Sequence, residues 1–318
     1  MRGAPAMKPE YLLDLVAQAR KPDDFLYLLL DPLANCGPEH PLSIAALTRQ
    51  LGVEAVECVM RNDLTHLTAE CPTLVELAAP GQPADTLLQL TAVHALSEVD
   101  FDKRHVCGWL LSEQPLPVIA RHLAARCLTM PPVAGPATAP WFEPLRLELL
   151  HATMLDISDV LWPLSAWLYP TACGTFACVQ GRAFARDLVI PHAVRELQYM
   201  APQVRCLLGA WRLLNQSPPS YSPLAWKGPS SLPPKAPFHV YQLIVAAWAR
   251  GLVDLDDASC LVLHQIMIHP RLLEHPTIQH DFNQAVAGEC RLVSRFATYS
   301  DYDWSKVVAA LPQSRSYP

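Results

Sequence analysis

The sequence predicts an α/β N-terminal lobe, a mixed sheet flanked by helices, followed by an all-α C-terminal lobe. Three observations carry that expectation. Short apolar runs alternate with amphipathic stretches as far as about Cys127, the pattern of strands layered with helices. From Arg182 onward the strand signal fades and helical periodicity takes over. Charge changes as well: residues 1–180 hold 11 basic and 20 acidic side chains, and residues 181–318 hold 13 and 10, a balance of −9 against +3. The lobes are therefore set at 1–180 and 181–318, with a proline-rich linker at 216–237.

The elements follow in order. Leu12, Leu13, Leu15 and Val16 mark one side of a helix around 11–19. Asp23-Asp24 then introduces Phe25-Leu-Tyr-Leu-Leu-Leu-Asp31, a run too short for a helix and read as a buried strand. A helix is expected over 41–52, opened by Pro41 and closed by Gly52. Residues 57–60 and 73–77 read as strands, with a helical turn at 65–69 between them. A helix over 84–95, a strand over 106–111 and an amphipathic helix over 115–127 follow. After a proline-rich connector at 131–140, order restarts over 141–150, and 162–167 reads as a tryptophan-rich helical patch. A long helix is expected over 191–214. The linker holds seven prolines in 22 residues, and proline removes amide donors and fixes φ. Helices resume at 238–250. The next is capped by Asp254 and runs to about Ile268, and the last is opened by Pro276 and runs to about Ala297.

Composition narrows the function. The 318 residues are 51% hydrophobic and only 17% charged, below the roughly 25% charged of an average soluble protein. That excludes a disordered chain, a charged coiled coil and a basic nucleic-acid binder, so no nucleic-acid partner is expected. The first ten residues hold no apolar secretory core. The longest early apolar run is six residues, whereas a spanning helix needs about 20. A cytoplasmic chain without membrane insertion is expected. None of the ten cysteines forms a Cys-x-x-Cys pair, so a zinc ribbon or finger is excluded and the thiols read as reduced.

Sites of chemistry are sparse. Gly-x-Gly-x-x-Gly, phosphate-loop, Gly-x-Ser-x-Gly and His-Glu-x-x-His motifs are all absent. His264, His269, His275 and His280 are spaced five, six and five apart with prolines between. This is unlike the i,i+3 or i,i+4 pairs that aim two ligands from one helix face, so they read as helix-end histidines. No metal, cofactor or catalytic residue is expected. Cys107 with His105 or His122 is the residual nucleophile–base pairing. Tyr221 and Trp226, aromatics within the linker, must dock on their own chain or meet a partner. Trp141, Phe142, Trp162 and Trp167 complete the partner-binding candidates, core packing being the alternative for the tryptophans.

The order of several segments resembles one family. Phe25-Leu-Tyr-Leu-Leu-Leu-Asp31 is similar to its opening strand ending in aspartate. Cys71-Pro-Thr-Leu-Val-Glu-Leu77 is similar to its Gly-Pro-x-Leu-Val-x-Leu strand, and Gly108-Trp-Leu-Leu-Ser112 to its strand–Ser–helix segment. Phe142-Glu-Pro-Leu-Arg146 is similar to its aromatic-Asp-Pro-Arg element. Ala247-Trp-Ala-Arg-Gly-Leu-Val-Asp-Leu-Asp-Asp257, with His269-Pro270, resembles its helical-lobe pattern. The family is that of type VI secretion effector chaperones or adaptors, of Tap or Tec type (domain of unknown function 4123). Cys71 and Glu143 stand where the family has glycine and aspartate, and Arg146 lies one place later than the family's arginine. The resemblance implies a non-enzymatic adaptor that holds a secreted toxic effector in the cytoplasm and loads it onto the spike protein VgrG. A cysteine- or histidine-dependent enzyme, or a constitutive subunit of a larger complex, are the alternatives.

Overall fold

The computed structural model describes residues 9–34, 36–129, 138–153, 157–183, 190–216 and 232–312. The N-terminal half contains helices α1 (Glu10–Ala19), α2 (Ile44–Leu51), α3 (Asp85–Ser97), α4 (Leu116–Thr129), α5 (Pro144–Thr153) and α6 (Ser158–Leu161). Its strands are β1 (Phe25–Leu30), β2 (Val56–Cys58), β3 (Thr73–Ala78), β4 (Val106–Ser112), β5 (Ala166–Pro170) and β6 (Phe176–Gln180). The rest is helical: α7 (His192–Gln216), α8 (Ala236–Ala249), α9 (Leu255–Met267), α10 (Pro276–Val286), α11 (Leu292–Phe296) and α12 (Asp301–Ala310).

The six strands form one sheet in the order β2-β3-β1-β4-β5-β6. Every pairing is antiparallel, so the two-part fold class holds while the mixed pairing expected of the sheet is corrected. The misleading signal was the alternation of short apolar runs with amphipathic stretches, a pattern more usual where helices cross over between parallel strands. Here both faces of the sheet are covered. Leu26, Leu28 and Leu30 join Val75, Trp109, Leu111 and Leu168 in a core with Leu12 and Val16 of α1, Leu47 of α2 and Leu88 and Ala92 of α3. The alternate residues Tyr27, Leu29, Leu110 and Trp167 are equally buried. On that side Trp167 meets Trp141 edge to face at 5.1 Å, and the Trp141 indole N–H donates to the Leu123 carbonyl of α4 at 3.4 Å.

Local chemistry sets the element ends. Ser43 caps α2 by accepting from the Ala46 amide at 3.2 Å, so the helix starts three residues after Pro41. Asp24 is fully buried at the start of β1 and accepts from Ser165 Oγ at 2.7 Å, which ties β1 to the start of β5. The expected helical patch at 162–167 is instead a turn leading into β5. Leu110 pairs with Trp167 and Leu111 with Ala166, and the β5–β6 hairpin closes through the Thr171 amide donating to the Thr175 carbonyl at 2.8 Å. Tryptophan suits a pleated, packed surface as well as a helix, so the pairing decided.

The described residues up to Pro202 form one compact unit and those from Gln203 form the other. The division falls inside α7, past the expected lobe boundary at 180. Arg146 of α5 donates to the Gln198 carbonyl at 2.6 Å and to its side-chain oxygen at 3.0 Å, which fastens the first turns of α7 to the sheet unit.

In the helical unit, Leu261, Leu272, Ile278, Phe282, Phe296 and Trp304 form the core. Asp254 caps α9 through the Asp256 and Asp257 amides, both at 3.0 Å. Arg291 joins that end to α11 by reaching Asp254 at 2.7 Å and Asp257 at 3.1 Å. The single helix expected over 276–297 is two. α10 stops where Gly288 takes a left-handed φ of 75° and the Glu289 amide turns back to the Gln284 carbonyl at 2.9 Å, a Schellman-type end. Ser300 and Asp303 then form a capping box for α12, which the periodicity did not reveal. Residues 217–231 of the expected linker lie outside the described residues; α8 begins at its far end.

Gly108 gives a direct test of the sheet packing. Its φ is 148° and a Cβ there would collide with the Leu168 carbonyl and the Trp167 indole. Neither can withdraw, because the carbonyl belongs to the neighbouring strand and the ring is fully buried. Gly108→Ala is expected to cost about 3 kcal/mol or more, read as a lower urea midpoint at unchanged slope.

Candidate functional site

Two of the segments that carry the family resemblance, the one ending at Asp31 and the one holding Glu143 and Arg146, meet at one end of the sheet. Asp31 ends β1, Lys103 lies in the connection from α3 to β4, and Glu143 and Arg146 open α5. Lys103 Nζ lies 3.1 Å from Asp31 Oδ2 and 3.5 Å from Glu143 Oε1. Arg146 Nε donates to Glu143 Oε2 at 3.0 Å, and its fork continues to Gln198. The chain from Asp31 to Gln198 is thus one alternating run of charges. Asp31 is fully buried, Glu143 and Arg146 are about one-tenth exposed, and Lys103 is 27% exposed at the outer end. Burial pushes the Asp31 carboxyl up against the opposing pull of the Lys103 ammonium. Its other oxygen accepts from the Leu33 amide at 3.0 Å.

This arrangement holds structure; it does not present a reactive group. Each charge faces an opposite charge, and the cluster joins β1, the β4 approach, α5 and α7. Lys103 escaped the sequence reading because its neighbours, Asp100, Asp102 and Arg104, make the loop look like ordinary solvated surface. The available signal was a single lysine just ahead of a wholly buried strand.

The nucleophile–base pairing meets three obstacles. Burial, then the nearby Asp31 and Glu143 carboxylates, push the Cys107 thiol well up, whereas attack requires the thiolate. His105 directs both ring nitrogens at carbonyl oxygens, Nδ1 at Asp31 O (3.1 Å) and Nε2 at Leu42 O (3.0 Å). Burial, with help from Arg126, pushes His122 down to about 3, so it is a poor proton acceptor.

The aromatic candidates separate clearly. Trp141, Phe142 and Trp167 are fully buried and present no ring to a partner. Their assignment to partner binding is corrected: Trp141 and Trp167 pack the second face of the sheet, and the Phe142 ring is buried beneath the Arg61 guanidinium. Trp162 is 44% exposed in the turn before β5. Tyr221 and Trp226 lie outside the described residues. The four C-terminal histidines take separate places. His264 packs between Phe296 and Trp304, at 4.8 and 5.1 Å, His269 reaches the Pro312 carbonyl at 3.1 Å, His275 precedes α10, and His280 is exposed.

The helical unit also contains a pocket of about 220 Å³ lined by Trp211 of α7, Pro233, Pro234 and Lys235, and Phe238 and His239 of α8. Small-molecule sites typically occupy about 300–1,000 Å³; this one is sized for one or two side chains. Lys235 holds the rim with a left-handed φ of 66°. The sequence signal was an aromatic directly after Pro237, where the proline-rich stretch gives way to helix.

No family model, curated protein or solved structure matches the chain. Among the described residues no helix is long and apolar enough to cross a membrane.

Two measurements test this site. Arg146→Ala removes the nearer of the two cations that face the buried Glu143 and is expected to cost about 3–5 kcal/mol. Lys103→Met, at the wetter end, is expected to cost less. Equilibrium urea unfolding ranks them. His122 supplies a pH test. Its folded-state value lies below its unfolded value near 6.5, so the unfolded chain binds the proton first on acidification. Its contribution is fully present above about pH 6.5 and falls by up to about 1.4 kcal/mol per pH unit toward the folded value. His122→Leu is expected to flatten that part of the stability–pH curve.

Proposed function

We propose that this protein is a non-enzymatic adaptor of the type VI secretion effector chaperone class: it binds a toxic effector in the cytoplasm and hands it to the VgrG spike. The observation that carries the reading is the convergence of Asp31, Glu143 and Arg146, which come from separate family-like segments, in one buried charge cluster. Residues that recur as a pattern because they hold a scaffold together are expected to meet in this way. Gly108, from a third such segment, lies where the close approach of Trp167 and Leu168 leaves no room for a side chain.

The pocket beside Phe238 supports the binding half of the reading. Protein partners are commonly held by a few aromatic or aliphatic anchors in small desolvated pockets, and Trp211, Pro233, Pro234 and Phe238 offer such a lining.

The test is co-expression with a candidate toxin drawn from the genes that neighbour the one encoding this chain. The adaptor is expected to raise the toxin's soluble yield and to co-elute with it at a fixed ratio. Affinity is expected to change little with salt, since apolar anchors are not screened. Phe238→Ala is expected to weaken binding by about 1–2 kcal/mol. A toxin that is equally soluble alone and elutes separately overturns the reading.

A further inference from the structure

We propose that Cys36, His40 and His94 form a binding site for a divalent transition metal of the zinc class. The three lie in the sheet unit. Cys36 and His40 belong to the connection between β1 and α2, and His94 is on α3. The Cys36 sulfur and one nitrogen from each ring lie within 4.8 Å of one another. The two imidazoles stand with ring centres 4.2 Å apart, inclined at 45°. All three residues are half-buried, so an ion can enter and still shed most of its water.

The donor set suits such an ion. One thiolate and two imidazoles are borderline-soft ligands that hard cations such as calcium and magnesium do not choose. Tetrahedral bonds of about 2.0 Å to nitrogen and about 2.3 Å to sulfur place ligand atoms about 3.3–3.6 Å apart. Closing from the present separation takes about 1 Å, within reach of side-chain rotation on a surface connection. With three protein ligands a fourth position stays open to water.

The surroundings are built for a cation as well. His94 Nε2 lies 3.2 Å from Glu98 Oε1. That carboxylate is buried and anchored by the His105 and Val106 amides at 2.9 and 3.1 Å. With the ion on Nδ1 and the ring proton on Nε2, a fixed carboxylate behind the ligand histidine orients the ring and strengthens its donor nitrogen. Its negative charge also offsets the excess positive charge of a dication on a single thiolate. On binding, the Cys36 sulfur–hydrogen bond is replaced by a sulfur–metal bond and the proton leaves to solvent. His40 makes one adjustment. Its Nδ1 accepts from the Leu42 amide at 3.1 Å, and coordination through Nε2 moves the ring proton to Nδ1 and ends that single hydrogen bond.

The sequence expectation of no metal rested on the absent Cys-x-x-Cys pairs and on the C-terminal histidines; these three residues, four and then 54 apart, match no linear ligand pattern. Here the sheet brings the β1–α2 connection against α3. The proposal is independent of the adaptor reading and concerns a site that steadies this connection.

Cobalt(II) is the probe, added to the full chain after chelator treatment. The expected result is one tightly bound ion per chain, with an intense near-ultraviolet thiolate-to-cobalt band and visible bands of tetrahedral intensity. Cys36→Ser, a near-isosteric change, is expected to abolish the near-ultraviolet band, and His94→Ala to weaken binding at least tenfold, with circular dichroism unchanged. X-ray absorption on the zinc-loaded wild type is expected to show one sulfur and two imidazole nitrogens, a readout that needs no variant to fold. Persistence of the thiolate band in Cys36→Ser, a sulfur count other than one, or no binding in competition with a weak chelator overturns the proposal.

Discussion

The sheet unit depends on the pairing of β1 with β4. β1 is hydrogen-bonded on both edges, to β3 and to β4, and both strands are buried on both faces. Every backbone amide and carbonyl there must find a partner within the sheet, because a buried unpaired group costs as much as a lost hydrogen bond. The register lets Gly108 sit opposite Leu29, beneath the indole of Trp167. That ring in turn supports Trp141 and the connection that carries Glu143 and Arg146. One glycine in one register therefore positions the second layer.

The charge cluster meets the same burial from the polar side. Taking Asp31, Glu143 and Arg146 out of water is costly, and their mutual attraction repays it only when each partner is in place. Well-packed apolar residues of similar size could serve stability equally well. What charges add is direction: Arg146 accepts only a geometry in which Glu143 and the Gln198 carbonyl are both within reach of its fork. The cluster thereby selects how α5 and the start of α7 dock on the end of the sheet. The helical unit uses a similar device, with Asp257 and Asp281 buried and met by Arg291 and Arg295.

Much of this was legible from residues alone. Apolar runs bounded by aspartate, proline and glycine located four of the six strands, and Asp254 and Gly52 marked helix ends, because these signals act within a few residues. The two-part class followed from the same local periodicities. Neither the antiparallel pairing nor β5 and β6 could be read locally, since a tryptophan-rich segment packs in a helix or a strand and its neighbours decide. The break after α10 was hidden for a related reason: the amphipathic pattern continues past Gly288, while the chain reverses to bring Arg295 to Asp281.

The site residues divide along the same line. The sequence by itself determined that Asp31, Glu143 and Arg146 belong to ordered elements and that no familiar catalytic motif runs along the chain. Only the tertiary structure decided that these three meet Lys103, that Trp141, Phe142 and Trp167 face inward, and that Cys36, His40 and His94 approach one another. The physical reason is range. Propensity and capping act over a turn or two of chain, whereas charge pairing and ligand geometry depend on separations in space that antiparallel register and helix docking create.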